Sequence, residues 1–365
     1  MKNKSTKIIL LFLIIILVFG IATFAVITSI SEKNNQRKLG YIMTGSADEE
    51  GWNGMNYKGI EAVCEELDVK LILKENIAEN TGDCPKAVYE LADEGAEIII
   101  LSSYAYPAEA KDAIDNNPAV SFYGISSDYY ADNMSSYFGR MYQVRYLTGI
   151  IAGMTTETNK IGYVAAMSNC EVNRGINAFT LGVRRVNPEA EVIVYRTNSW
   201  DDKDKEISAA NTLIETYNVD LLTYHQNQSY VAEAAEAAGV YSIGYNEENE
   251  ELSEKYLTAA VWDWEKLYKD VVRDFLQGNA NTKQHHWCGI ETGAVGLSKY
   301  SPLVSQAARA EVDKAKNELL AGKDVFSGEI YDNTGVLRCS EDEFISDTTL
   351  MTDLYWYVDG VIINE

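Results

Sequence analysis

Residues 161–195 read IGYVAAMSNCEVNRGINAFTLGVRRVNPEAEVIVY. Ile161–Ala165 is a short apolar run of strand character, Gly175–Val186 reads as a helix, and Val192–Tyr195 is a second β-branched run. Strand, helix and strand in that order form a βαβ unit, with a right-handed crossover and parallel strands. The rhythm continues downstream. Lys205–Tyr217 carries Ile207, Ala210, Ile214 and Tyr217 at steps of three and four, one side of a helix, and Leu221–Tyr224, Val240–Ile243 and Leu257–Val261 read as strands.

Upstream the same rhythm stands a second time. Strands at Leu39–Met43, Val69–Leu73, Ile98–Leu101 and Val120–Tyr123 alternate with helices at Trp52–Leu67, Asp83–Glu94 and Pro107–Asn116, and a helical stretch at 144–154 separates the two series. The fold class is therefore α/β, with two doubly wound Rossmann-like lobes joined by a hinge. Lobe 1 is expected over 38–157 and lobe 2 over 158–260. Segments within 261–365, including helices at Trp264–Gln277 and Ser305–Ala321, are expected to cross and pack back on both. In such sheets ligands bind beyond the carboxyl ends of the strands, so the residues that follow each strand decide the function.

Bulk properties fit this reading. A chain of 365 residues exceeds one ordinary domain, and 46% apolar with 24% charged residues is the composition of a globular protein. The net charge of −24 excludes nucleic acid as a partner, since phosphate neutralisation needs clustered Lys and Arg. The five cysteines are scattered, so at least one stays unpaired within the chain, and small buried side chains are expected.

At the N-terminus, Lys2, Lys4 and Lys7 precede an uncharged apolar run from Ile8 to Ile30. As a helix it would be about 35 Å long, enough to cross a bilayer, and longer than the usual hydrophobic stretch of a cleaved signal. Residues 1–31 are thus expected to be a membrane anchor or a signal, with one uncleaved N-terminal transmembrane helix favoured, and 32–37 a polar linker. The binding domain would be extracytoplasmic, held at the cell membrane.

The strand ends carry aromatic, amide and acidic residues again and again. Trp52 and Asn53 follow the first strand, Tyr104 the third and Ser126 the fourth. In the second series the strands lead to Glu171 and Asn177, to Trp200 and Asp201, to His225, to Tyr245 and Asn246, and to Trp262. Rings able to stack, with amides and carboxylates beside them, suit a planar heterocycle read at its edge. We therefore expect ligand contacts from Trp52, Asn53, Tyr104, Ser126, Glu171, Asn177, Trp200, Asp201, His225, Asn246 and Trp262.

Several of these segments resemble one family. They are Gly-Trp-Asn at 51–53, Tyr-Leu-Thr-Gly-Ile-Ile-Ala-Gly at 146–153, Ile-Gly-Tyr-Val at 161–164, Glu-Val-Asn-Arg-Gly-Ile-Asn-Ala-Phe-Thr-Leu-Gly at 171–182, Val-Asn-Pro at 186–188, Ser-Trp-Asp-Asp at 199–202 and Trp-Tyr-Val-Asp-Gly-Val at 356–361. Together they are similar to the basic membrane protein family, the purine nucleoside receptor-like substrate-binding proteins of ABC transporters. The resemblance runs from about residue 38 to 365. It implies the type I periplasmic-binding-protein fold and a purine ligand, with Trp52, Asn53, Trp200, Asp201, His225 and Asn246 at family site positions. Tyr245-Asn246 stands where nucleoside-binding members tend to have Asp, and Trp262 where they tend to have Lys. Trp262-Asp263-Trp264 resembles the branch associated with free bases, so a nucleobase is expected rather than a nucleoside. No lipid-attachment Cys ends the apolar run.

No Gly-x-Ser-x-Gly and no phosphate loop is present, and His285-His286-Trp287-Cys288 has no second ligand cluster. We expect no enzyme, no cofactor and no metal. The expected partners are a small purine, an ABC permease and, through the N-terminal helix, the membrane, with a monomeric binding unit. The alternatives are a membrane-anchored sensor that presents purine occupancy to a signalling partner, and a binder of a nucleoside rather than a nucleobase.

Overall fold

The computed structural model describes residues 36–364 except 50, 128, 130, 247, 250 and 280–284. The apolar N-terminal run and most of the linker lie outside the described residues. No helix among the described residues is long and apolar enough to cross a membrane.

The chain first builds β1 (Lys38–Ile42), α1 (Trp52–Glu66), β2 (Lys70–Lys74), α2 (Asp83–Asp93), β3 (Ile98–Leu101), α3 (Tyr106–Glu109), α4 (Lys111–Asp115), β4 (Ser121–Ile125) and β5 (Met134–Gly139). It then crosses to a second lobe with α5 (Met141–Thr155), β6 (Lys160–Ala165), α6 (Cys170–Val186), β7 (Glu191–Arg196), α7 (Lys203–Tyr217), β8 (Leu221–His225), α8 (Tyr230–Ala238), β9 (Tyr241–Asn246) and β10 (Tyr256–Trp262). It returns through α9 (Trp264–Leu276) and β11 (His285–Cys288). It ends with β12 (Val295–Leu297), α10 (Gln306–Leu320), a hairpin of β13 (Ile330–Tyr331) and β14 (Leu337–Cys339), α11 (Asp347–Thr352) and β15 (Val361–Asn364).

The first sheet has the order β11-β5-β4-β3-β1-β2 and is parallel throughout. The second has the order β12-β10-β9-β8-β6-β7-β15, parallel except for β12 against β10. Within each lobe the first strand lies between the second and third, the doubly wound arrangement that opens a crevice at the carboxyl edge. β3 shows why the strands read as unbroken apolar runs. Ile98 and Ile100 pack into one core cluster, Ile99 and Leu101 into another on the opposite face, and all four are fully buried.

α6 is set by equally plain chemistry. The Asn169 side chain accepts from Val172 N at 2.9 Å, and Val172, Ile176, Phe179 and Val183 form its buried stripe. Arg184 and Arg185 stand in the last turn, where they complement the helix dipole.

Three differences from the sequence reading matter. α5 packs on α6, α10 and β10, so the first crossover falls at Gly139–Met141 and not near residue 157. β5 and the short edge strands β11, β12 and β15 are additional. The helix expected at 107–116 is two short helices broken at Ala110. The remaining crossovers run through Trp262–Trp264 and Cys288–Val295. All five cysteines are free; Cys64, Cys84, Cys170 and Cys339 are buried and Cys288 is half-buried.

Candidate functional site

A cavity of about 330 Å³ lies between the carboxyl edges of the two sheets. Lobe 1 lines it with Thr44 after β1, Trp52 at the start of α1, Ala78 and Glu79 after β2, Ser103 and Tyr104 after β3, Ile125 at the end of β4 and Phe138 near the end of β5. Lobe 2 contributes Glu171 from the first turn of α6, Trp200 after β7, His225 at the end of β8, Asn227, and Tyr245 and Asn246 at the end of β9. Its size is at the small end of ligand cavities, and its lining mixes the aromatic rings of Trp52, Tyr104, Phe138, Trp200 and Tyr245 with a comparable set of polar side chains.

The lobes meet at its mouth. A Cβ on Gly51 would stand 2.6 Å from the carbonyl oxygen of Asn227, and Gly51 has φ +70°. Both the backbone conformation and the close approach require glycine there. Trp52, next in the chain, donates from Nε1 to Ser102 O at 3.1 Å. Its ring stands edge-on to Trp264 at 5.0 Å and to Trp262 at 6.5 Å. Trp262 and Trp264 stack on each other at 4.5 Å, and Phe138 packs on Trp262 at 4.9 Å. The cavity wall is thus continuous with the aromatic block that fills the crossovers.

In lobe 2, His225 is buried with Tyr245 at 4.4 Å between ring centroids and Trp200 at 6.0 Å. Burial holds its imidazole below the usual range. The nearby Glu171 carboxylate opposes this, and Arg145 and Arg174 add to it. His225 Nε2 lies 3.8 Å from Glu171 Oε1, too far for a direct hydrogen bond, and neither ring nitrogen has a hydrogen-bond partner among the described residues. A neutral imidazole with both nitrogens unspent offers a ligand one donor and one acceptor.

The loop carrying Trp200 is pinned from beneath. Asn227 N donates to Trp200 O at 2.9 Å. Gln226, in the amide orientation that satisfies every partner, donates to Ser199 O at 2.8 Å and Trp200 O at 3.2 Å and accepts from Thr197 Oγ1 at 2.9 Å. Asp202 caps α7 by accepting from Lys205 N at 3.1 Å, while its own N–H donates to Glu206 Oε1 at 3.1 Å. Glu206 Oε2 is buried without a partner among the described residues. Burial, then Asp202 as backbone donor working the other way, then the acids Asp201, Asp202 and Glu233, leave its carboxyl pushed up to about 7. A carboxyl raised in the fold contributes stability that is complete below its unfolded value near 4.5 and is lost as pH rises through about 7. Glu206→Gln mimics the protonated form. It is expected to raise Tm by at least about 2 °C at pH 8 and to change it little at pH 5, read by scanning calorimetry at both pH values.

Of the residues singled out in the sequence, Trp52, Tyr104, Glu171, Trp200, His225 and Asn246 come together at the cavity. Five do not line it. Asn53 accepts from Thr44 Oγ1 at 3.1 Å and donates to Glu49 Oε2 at 2.9 Å, so its amide orders the β1–α1 loop. Asn177 donates to Trp356 O at 2.9 Å and accepts from Val358 N at 3.0 Å, which ties α6 to the C-terminal segment. Asp201 is exposed beside the helix cap. Ser126, at φ +47°, borders a separate small void with Arg174 and Trp287. Trp262 packs beneath Trp52. Phe138, Glu79, Asn227 and Tyr245 are lining residues that were not singled out. Glu79 and Phe138 follow the same strand-end rule, applied to β2 and to the unrecognised β5.

The family model described as ABC transporter substrate-binding protein PnrA-like matches residues 36–326. A putative ABC transporter glucose-binding protein of Haloferax volcanii is 31% identical, over 85% of this chain and 76% of its own length. A purine-binding protein of Brucella abortus is 29% identical, over 89% of this chain and 92% of its own. Among solved structures, a solute-binding protein of an ABC transporter system from Aeropyrum pernix superposes with a TM-score of 0.67 at 17% identity, over 79% of this chain and 92% of that one, a likeness of fold.

Proposed function

The chain belongs to the PnrA-like family of ABC transporter substrate-binding proteins, and from that membership we propose that it takes a purine nucleobase into the cleft between its lobes and delivers it to a permease. The observation that carries the reading is the placement of Trp52 from lobe 1 and Trp200 from lobe 2 on one small cavity. Two indoles from opposite lobes can grip a flat ring only when the lobes are together. Occupancy then favours the closed form, and closure is what a permease reads. Tyr104, Glu171, His225 and Asn246, with Phe138 and Tyr245, complete the contacts. The likeness to the Brucella purine-binding protein supports the ligand class.

The preference for a base rests on Asn246. Its amide nitrogen already donates to Gln226 O at 3.1 Å and Asn227 O at 3.3 Å, which leaves one acceptor oxygen. That suits a heterocycle N–H better than the paired hydroxyls of a ribose. The binding unit works outside the cytoplasm, held at the membrane by the apolar N-terminal run.

Titration calorimetry against adenine, adenosine and D-glucose tests this. Adenine is expected to bind tightest, adenosine at least about tenfold more weakly and glucose not measurably. A preference for adenosine would keep the family and change the ligand to a nucleoside. Binding of glucose alone would replace the purine reading by the sugar named for the Haloferax relative.

A further inference from the structure

We propose that lobe 2 alone reads the polar edge of the ligand, through Glu171, Trp200 and Asn227, and that lobe 1 closes over it as a lid of rings. The inference rests on the purine reading for its ligand and adds where that ligand is recognised. On the lobe 1 side of the cavity four side chains can donate a hydrogen bond: Thr44, Trp52, Ser103 and Tyr104. Three of them are spent inside lobe 1. Thr44 Oγ1 donates to Asn53 Oδ1 at 3.1 Å, Trp52 Nε1 to Ser102 O at 3.1 Å, and Ser103 Oγ to Glu79 Oε1. The fourth, Tyr104, is 44% exposed. Glu79 Oε1 also accepts from Ala105 N at 3.2 Å, which ties this carboxylate to its own lobe. What lobe 1 turns to the cavity is largely ring and hydrocarbon, from Trp52, Ala78, Ile125 and Phe138.

Lobe 2 is built the other way. Trp200 Nε1 and the side-chain amide of Asn227 line the cavity and have no hydrogen-bond partner among the described residues. Asn227 keeps backbone and side chain on separate tasks. Its N–H holds Trp200 O at 2.9 Å, and its carbonyl faces Gly51 across the mouth, where a Cβ would stand 2.6 Å away. Its side-chain oxygen and NH₂ are left for a ligand. Glu171 adds a carboxylate, 3.8 Å from His225 Nε2 and not hydrogen-bonded to it. An indole N–H that only donates, an amide that does both and a carboxylate that only accepts can pair with an amino edge or an oxo edge alike. These partners stand on one lobe, so their bonds to a ligand can form before the lobes meet. A purine therefore docks on lobe 2 in the open form, and closure adds the lobe 1 rings and excludes water.

The test is stopped-flow tryptophan fluorescence on the full-length chain in detergent, unfolded and refolded beforehand to remove carried-over ligand. Trp200 is kept in every variant as the reporter. With adenine the observed rate is expected to saturate, and the half-saturating concentration measures docking on the open form. Asn227→Ala removes the free amide and spares both backbone contacts, and Glu171→Gln removes the charge. Each is expected to raise the half-saturating concentration at least about tenfold. Trp52→Phe and Glu79→Gln, on lobe 1, are expected to speed release at least about threefold and to leave half-saturation within about twofold. Lobe 2 variants that leave half-saturation in place, lobe 1 variants that shift it as much, or a rate linear in adenine throughout would each overturn the inference and leave the purine reading standing. If adenine does not bind while adenosine or glucose does, the base reading fails, and the same four variants decide between the lobes with that ligand.

Discussion

Trp200→Ala is expected to weaken purine binding about tenfold or more and to leave the fold intact. Stacking of a base on an aromatic ring is worth roughly 1–3 kcal/mol, and each 1.4 kcal/mol or so is a factor of ten in affinity. The fold survives because little of it leans on the ring. Trp200 is half-buried, its nearest aromatic neighbour is His225 at 6.0 Å, and the carbonyls of its loop are held by Asn227 N and by the Gln226 side-chain amide, which the substitution does not touch. Trp52 makes the contrast. Its ring packs edge-on against Trp264, and truncation there would open the block that fills the crossovers, so lost binding would be confounded with lost stability. Calorimetry with adenine, together with a thermal melt of the same sample, separates the two effects for Trp200. Unchanged affinity removes Trp200 from the site. A large fall in Tm makes it a packing residue.

Much of this site was legible because one rule of topology did most of the selecting. Parallel doubly wound sheets gather their strand ends on one edge, so Trp52, Tyr104, Trp200, His225 and Asn246 converge although up to almost 200 positions separate them in the chain. The rule fixes a neighbourhood, not a direction. Asn53 lies just past a strand end, but a short amide beside a backbone turn is readily drawn into local bonds, while Asn177 sits within α6 and is taken up by the backbone of the C-terminal segment, which nothing in its spacing announces. Asp201 and Asp202 are neighbours of the same chemistry, and helix geometry alone turns one into a cap and leaves the other at the surface. Phe138 stayed hidden for a different reason. Its strand, Met-Ser-Ser-Tyr-Phe-Gly, alternates too weakly to read as buried, yet the edge strand β11 covers it and all six residues are buried. The lobe boundary was obscured in the same way, because α5 looks like the close of the first series until its glycines are seen against α6.

Those glycines carry the second large effect. Gly182→Ala is expected to destabilise the protein by at least about 2 kcal/mol, read as a lower urea midpoint at unchanged slope. A Cβ at Gly182 would lie 2.0 Å from Tyr146 O, and one at Gly149 would lie 2.0 Å from Phe179 O, so α5 and α6 touch backbone to backbone through reciprocal glycines. In an open helix the same change would stabilise by roughly 1 kcal/mol, because alanine is the better helix former. The sign therefore decides between the two situations. Neither contacting atom is the end of a flexible side chain, so the helices must separate, and with them Leu147, Ile150 and Ile151 of α5, which are buried. Function should follow stability here. α6 presents Glu171 to the cavity from its first turn, and α5 begins at the first crossover, so a displaced pair moves Glu171 relative to Asn246 across the cavity lining. Adenine affinity is accordingly expected to fall in the folded fraction of Gly182→Ala as well. A stabilised variant with unchanged binding would mean that the two helices do not meet at these glycines.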